Sequence, residues 1–99
     1  MTTVIWAITG ILFAAGLAMV VLRRQLLAML LGVELMLSAV NVALVHHAGL
    51  FSDAQAMAAV AIVIAIAAAE AVVGLSLILR VLRADRGTDD AGDLTELRG

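Results

Sequence analysis

The 99-residue chain has no cysteine, no proline, no lysine and no tyrosine, and its aromatic residues are one tryptophan and two phenylalanines. Without cysteine there is no disulfide framework, thiolate zinc site, haem attachment or cysteine-bound iron–sulfur cluster. Without proline there are no proline linkers and no proline kinks in helices. All six basic residues are arginine and the net charge is −2, so no basic face suggests nucleic acid. Charge itself is scarce: 14% of residues are charged, against about 25% in ordinary soluble domains. What fills the chain instead is apolar, at 65%. A body this small hides only about 60% of its unfolded surface. That composition excludes a soluble monomer. It equally excludes disorder, which requires low hydrophobicity and high charge.

The apolar residues fall in three runs. Met1 to Leu22 carries no charged side chain, and Arg23-Arg24-Gln25 interrupts. Leu26 to Val45 is apolar apart from Glu34, Ser38 and Asn41, and His46 to Asp53 reads as a connection. Ala56 to Leu79 is apolar apart from Glu70 and Ser76, and Arg80 closes it. A helix needs about 20 residues to cross a ~30 Å hydrocarbon core. The expected fold is therefore all-α and integral to the membrane, with transmembrane helices over 3–22, 26–45 and 56–79. Residues 1–83 form this three-helix domain and 84–99 an acidic tail. Because the first arginines follow the first run instead of preceding it, a cleaved signal peptide is not expected.

Arginine distribution sets an expected orientation. Arg23 and Arg24 lie in the first loop, Arg80, Arg83 and Arg86 follow the third run, and the second loop has none. Positive residues favour the cytoplasmic side. The N-terminus is thus expected outside, with the first loop and the C-terminus cytoplasmic. The tail, with Asp85, Asp89, Asp90, Asp93 and Glu96, is expected to be a solvated end or a docking strip for a neighbour.

Glu34 and Glu70 carry the chemistry. Glu34 lies ten residues beyond Arg24, and Glu70 ten residues before Arg80. At 1.5 Å per residue each is roughly 15 Å deep, near mid-membrane. An ionised residue there costs about 3 kcal/mol on insertion scales, and neither carboxyl helps its helix insert. Intramembrane ionisable residues serve protons or ions by default. Two carboxyls about 8 Å apart would couple by ~2 kcal/mol at an effective dielectric near 20, as a proton relay requires. The competing reading is a pair of protonated residues that join helices by hydrogen bonds.

Around Glu34, Ser38 and Asn41 continue one polar stripe at i+4 and i+7. Ala67 and Gly74 flank Glu70, and Gly10, Ala14 and Ala18 repeat at four-residue spacing on the first helix. Such small residues permit close backbone approach. These patterns predict an inward-facing pair of carboxyls, relayed with the help of partner subunits. His46-His47 lacks a carboxylate motif and reads as interfacial, not as a metal site, and Trp6 as an interfacial anchor.

The run Arg23-Arg24-Gln25-Leu26-Leu27-Ala28-Met29-Leu30-Leu31-Gly32-Val33-Glu34-Leu35-Met36-Leu37-Ser38-Ala39-Val40-Asn41 resembles the second-helix signature of the subunit K family of proton-translocating NADH–quinone oxidoreductase, respiratory complex I. Ala67-Ala68-Ala69-Glu70-Ala71-Val72-Val73-Gly74-Leu75 resembles its third-helix signature, and the ending Leu97-Arg98-Gly99 also fits. The resemblance spans essentially the whole chain. It implies a non-redox subunit of the membrane arm, in a bacterial cell membrane, beside other membrane-arm subunits that include antiporter-like ones. It implies that Glu34 and Glu70 belong to the proton-conducting, charge-coupling axis and that Arg23 and Arg24 are cytoplasmic-loop arginines. NADH, flavin, iron–sulfur clusters and quinone belong elsewhere in such a complex, and this chain binds no cofactor or metal. Two positions depart from the pattern: Ser38 stands where asparagine is common, and Ala54 where glycine often precedes Gln55. The runner-up is the small three-helix subunit of multisubunit cation/proton antiporters, which generally lacks these glutamates. Small multidrug transporters and ATP-synthase rotor subunits differ in helix number and in the position of the acid. A purely structural assembly subunit is the remaining alternative.

Overall fold

In a computed structural model of the chain, which describes residues 1–84, three helices follow one another: α1 (Thr2–Leu22), α2 (Leu26–Phe51) and α3 (Ala54–Ala84). All three are long and apolar enough to cross a membrane. The acidic tail and the Leu97-Arg98-Gly99 ending lie outside the described residues.

Three boundaries differ by two residues or more from the sequence expectation. α2 runs six residues past Val45, through both histidines and Gly49 to Phe51, and α3 runs from Ala54 through Arg80 and Arg83 to Ala84. Polarity marked His46 to Asp53 as a connection and Arg80 as the close of the third run, but polarity does not break a helix. Nothing between His46 and Phe51 removes a backbone donor, and a helix emerging into the headgroup layer tolerates polar side chains. What ends α2 is Ser52, which takes a left-handed conformation with φ 49° and ψ 44°. The next amide, Asp53 N–H, then folds back onto the Ala48 carbonyl at 3.1 Å, as in the closing bond of a Schellman turn.

Asp53 starts α3 immediately afterwards. Its Oδ1 accepts from the amides of Gln55 at 3.0 Å and Ala56 at 3.1 Å, which satisfies two of the free donors at a helix start. Its Oδ2 lies 3.3 Å from His47 Nε2. The hydrogen bond donated by the Ala56 amide, aided by His47 and Gln55, holds the Asp53 carboxyl below its ordinary value of 3.8 against a smaller opposing effect of desolvation. A depressed acid stabilises the fold above its unfolded value, and loses that effect as pH falls through the lowered folded value. The α3 cap is therefore complete above pH 3.8 and releases only below it. Asp53→Ala is expected to speed amide hydrogen exchange at Gln55 and Ala56 about fivefold, whereas Asp53→Asn, still a good cap, retains protection.

Interhelical packing rests on small residues. The buried positions are Gly16 on α1, Ala28, Gly32, Ala39 and Ala48 on α2, and Ala56 and Val60 on α3. Large apolar side chains such as Ile11, Leu22 and Val72 point outward, the reverse of a soluble protein. This is the pattern of helices joined by close backbone contact in lipid. The tightest point is the α1–α2 crossing. A Cβ on Gly16 would stand 2.5 Å from the Gly32 carbonyl oxygen, and one on Gly32 would stand 2.6 Å from that of Gly16. The expected ridge of Gly10, Ala14 and Ala18 is not this contact. Gly10 has open space around it, and Ala14 is exposed. Four-residue spacing identified a row on α1, but not the row that faces α2.

α1 and α3 each pack principally on α2, and they do so on opposite sides of it. Gly32 faces α1, while Leu30, two residues earlier and so about 200° around the helix, faces Gly74 of α3. The helices form a row with α2 in the middle. Two hydroxyls bond within their own helices: half-buried Thr9 donates to the Ile5 carbonyl at 2.8 Å and exposed Ser76 to that of Val72 at 2.7 Å, as hydrocarbon demands.

Candidate functional site

The α2–α3 register decides how the two glutamates stand. The helices are antiparallel, and a Cβ on Gly74 would meet Leu30 Cδ1 at 2.9 Å. Glu34 lies one turn after Leu30, and Glu70 one turn before Gly74. Both carboxyls therefore sit on the same level of the pair. The extension of α2 alters their setting: Glu34 is the ninth residue of a 26-residue helix, well toward the arginine end.

Their orientations differ. Glu34 is half-buried, and its Oε1 is enclosed without a hydrogen-bond partner among the described residues. Glu70 is exposed on the outside of the three-helix row. The expectation of an inward-facing pair is thus corrected for Glu70. A row with α3 at one edge has no third helix to enclose the far flank of α3, so a residue off the α2-facing line is left uncovered. Ala67 and Gly74, its small neighbours, are half-buried toward α2.

The polar stripe of α2 is continuous but unevenly covered. Ser38 is exposed, whereas Asn41 is half-buried and its Oδ1 lacks a partner. His46 lies beyond it, with Nε2 also enclosed and unpartnered, its ring edge-on to Trp6 of α1 at 6.4 Å. His47 turns the other way, toward Asp53 and the Phe51 ring at 4.8 Å. Sequence reasoning set His46 aside as interfacial. Its available signal was position, five residues beyond Asn41, but only packing against α1 encloses it.

Arg23 and Arg24 form the α1–α2 turn, and Arg80 lines a groove with Leu26 near the start of α2. The arginine clusters thus gather at one end of the row, opposite the α2–α3 turn. No group of three metal-ligating side chains comes together among the described residues.

With that geometry in view, likeness to known proteins decides the family. The NADH-ubiquinone/plastoquinone oxidoreductase chain 4L family model matches residues 4–99. The chain belongs to this family. NADH-quinone oxidoreductase subunit K of Deinococcus radiodurans is 44% identical over 93 residues, covering 94% of this chain and 89% of that one. The same subunit of Sulfurihydrogenibium sp. is 41% identical over 93 residues, covering 94% and 92%. That of Persephonella marina is 42% identical over 91 residues, covering 92% and 90%. As a chain 4L family member it is a membrane-arm subunit of the NADH–quinone oxidoreductase complex, with other subunits of that complex as its partners.

Proposed function

We propose that this chain is a proton-transfer subunit of the complex, in which Glu34 and Glu70 carry protons along the axis that couples quinone reduction to pumping. One observation carries the reading: two carboxyls held level on adjoining antiparallel helices, one with an enclosed and unpartnered oxygen. A residue kept for packing alone would be expected to find its hydrogen bond inside the chain, since an unmade bond to a buried oxygen costs about 1–3 kcal/mol. Ser38 and Asn41 support Glu34 as neighbouring polar groups. Glu70, facing away from the row, meets a neighbouring membrane-arm subunit, because an acid turned onto acyl chains at mid-membrane is costly. An antiporter-like subunit suits that place.

In the same reading Arg23, Arg24, Arg80 and Arg83 lie on the cytoplasmic side of a bacterial cell membrane, with the N-terminus outside. The transmembrane domain covers residues 1–83, and this chain holds no cofactor or metal and performs no redox step itself. The antiporter-subunit alternative is not favoured, because the relatives named above are all subunit K of NADH-quinone oxidoreductase.

The test is Glu34→Gln in the assembled enzyme, with proton pumping and quinone reduction measured side by side in membrane vesicles. Pumping is expected to fall at least about tenfold, a conservative bound against the ~100-fold or more that a positioned proton-transferring group contributes, with the complex still assembled. Unchanged rates for both would remove Glu34 from the mechanism.

A further inference from the structure

Arg23, Arg80 and Arg83 stand at the end of the row opposite the α2–α3 turn, and no acidic side chain among the described residues stands with them. The acids of that set are Glu34 and Glu70, roughly 15 Å deeper, and Asp53 at the other end. Arg80 is exposed and makes no ion pair among the described residues. It stands at the mouth of a groove of about 380 Å³, with Leu26 and Leu30 of α2 on one wall and Gly74, Leu77 and Val81 of α3 on the other. Apart from Arg80, the described residues that line it are all apolar. From Gly74 to Val81 the groove is about 10 Å long. A membrane-spanning partner helix runs ~30 Å past its neighbour, whereas the upper part of an acyl chain fits this length. Arg80 is six residues from Gly74 along α3, about 9 Å. A phosphate gripped by its planar guanidinium therefore hangs its acyl chain beside the apolar walls.

We propose that this groove seats an anionic phospholipid, with its phosphate on Arg80 and one acyl chain lying between α2 and α3 as far as Gly74. Charge selects the lipid. A zwitterionic headgroup brings a cation along with its phosphate, and among the described residues that cation finds arginines here and no carboxylate. A headgroup of net negative charge meets attraction alone. The site stands apart from the proton-transfer reading, since neither glutamate lines it. An acyl chain that ends at Gly74 stops one turn short of Glu70 and leaves that carboxyl to its neighbour.

The test is photolabelling of the intact complex in nanodiscs of phosphatidylcholine. Each preparation carries a trace of one probe, phosphatidylglycerol or phosphatidylcholine, with a diazirine in the first half of an acyl chain. After illumination, adducts on residues 74–81 of this subunit are counted by mass. The anionic probe is expected to label this segment at least about fivefold more than the zwitterionic one, the ratio given by ~1 kcal/mol of attraction to one arginine. Arg80→Gln is expected to bring the ratio below about twofold. Arg83→Gln removes the same charge one turn along α3 but outside the groove, and is expected to keep a ratio of about fivefold or more. A smaller ratio in the parent, as when bulk acyl chains fill the groove or the acidic residues beyond Ala84 neutralise Arg80, overturns the proposal. Labelling by neither probe, as when a partner helix covers the groove, overturns it too. So does a ratio that Arg80→Gln leaves unchanged, or that both variants lower alike. Should Arg80→Gln fail to assemble, Leu77→Trp, which fills the groove from an exposed position on its wall, takes its place under the same criterion.

Discussion

Gly32→Val is expected to prevent accumulation of the mature complex, with Gly16→Val behaving alike and Gly74→Ala remaining close to the parent. The difference lies in what each added side chain meets. At the α1–α2 crossing a Cβ runs into a backbone carbonyl at 2.5–2.6 Å, whereas ordinary contact begins at 3.4 Å. A carbonyl inside a helix cannot swing aside, so the two helices must part by close to an ångström. At Gly74 the obstacle is the far end of the Leu30 side chain at 2.9 Å, which has other rotamers. Overpacking of a tight contact costs about 1–3 kcal/mol, and separating the helices also forfeits the surrounding dispersion contacts. The measurement is native electrophoresis of mildly solubilised membranes. The mature band is expected to fall at least about tenfold for either valine variant, as expected from a loss of 1.4 kcal/mol or more. A normal band for Gly32→Val would mean that the crossing is looser than described.

The second large effect concerns Glu70. Glu70→Gln is expected to assemble and to lose pumping about tenfold, as Glu34→Gln does. The informative variant carries both changes. Sites that contribute independently to one rate give multiplying losses, roughly a hundredfold together, while sites that act as one coupled unit are non-additive. The shared level of the carboxyls on α2 and α3 predicts the second outcome, with the double variant within about twofold of the weaker single one. The assay is proton uptake by inverted vesicles beside quinone reduction. A full hundredfold loss would show that the two carboxyls contribute independently and are not coupled.

Much of this architecture is legible in the residues. The α1 boundaries follow from the absence of charge between Met1 and Leu22 and from the arginines after it, and the start of α2 at Leu26 follows likewise. The ends nearest the other surface are less legible. There His46, His47 and Asp53 carry the polarity of a loop, but the helix stops only where Ser52 adopts positive φ, which serine does not announce. Gly32 stands within the family-like motif, yet its partner Gly16 has no distinguishing spacing on a helix that also carries Gly10, Ala14 and Ala18. The level of Glu34 and Glu70 is readable from distance to arginine along each helix. Their direction is not, because it depends on which flank of α3 remains open once α2 is packed.

The row arrangement has a consequence for passage across the subunit, as opposed to through the bilayer. With α1 and α3 on opposite sides of α2, the protein is a plank one helix thick at its middle. A helix with its side chains is about 10 Å across, so neighbouring subunits on the plank's two broad surfaces are separated by a single layer of backbone.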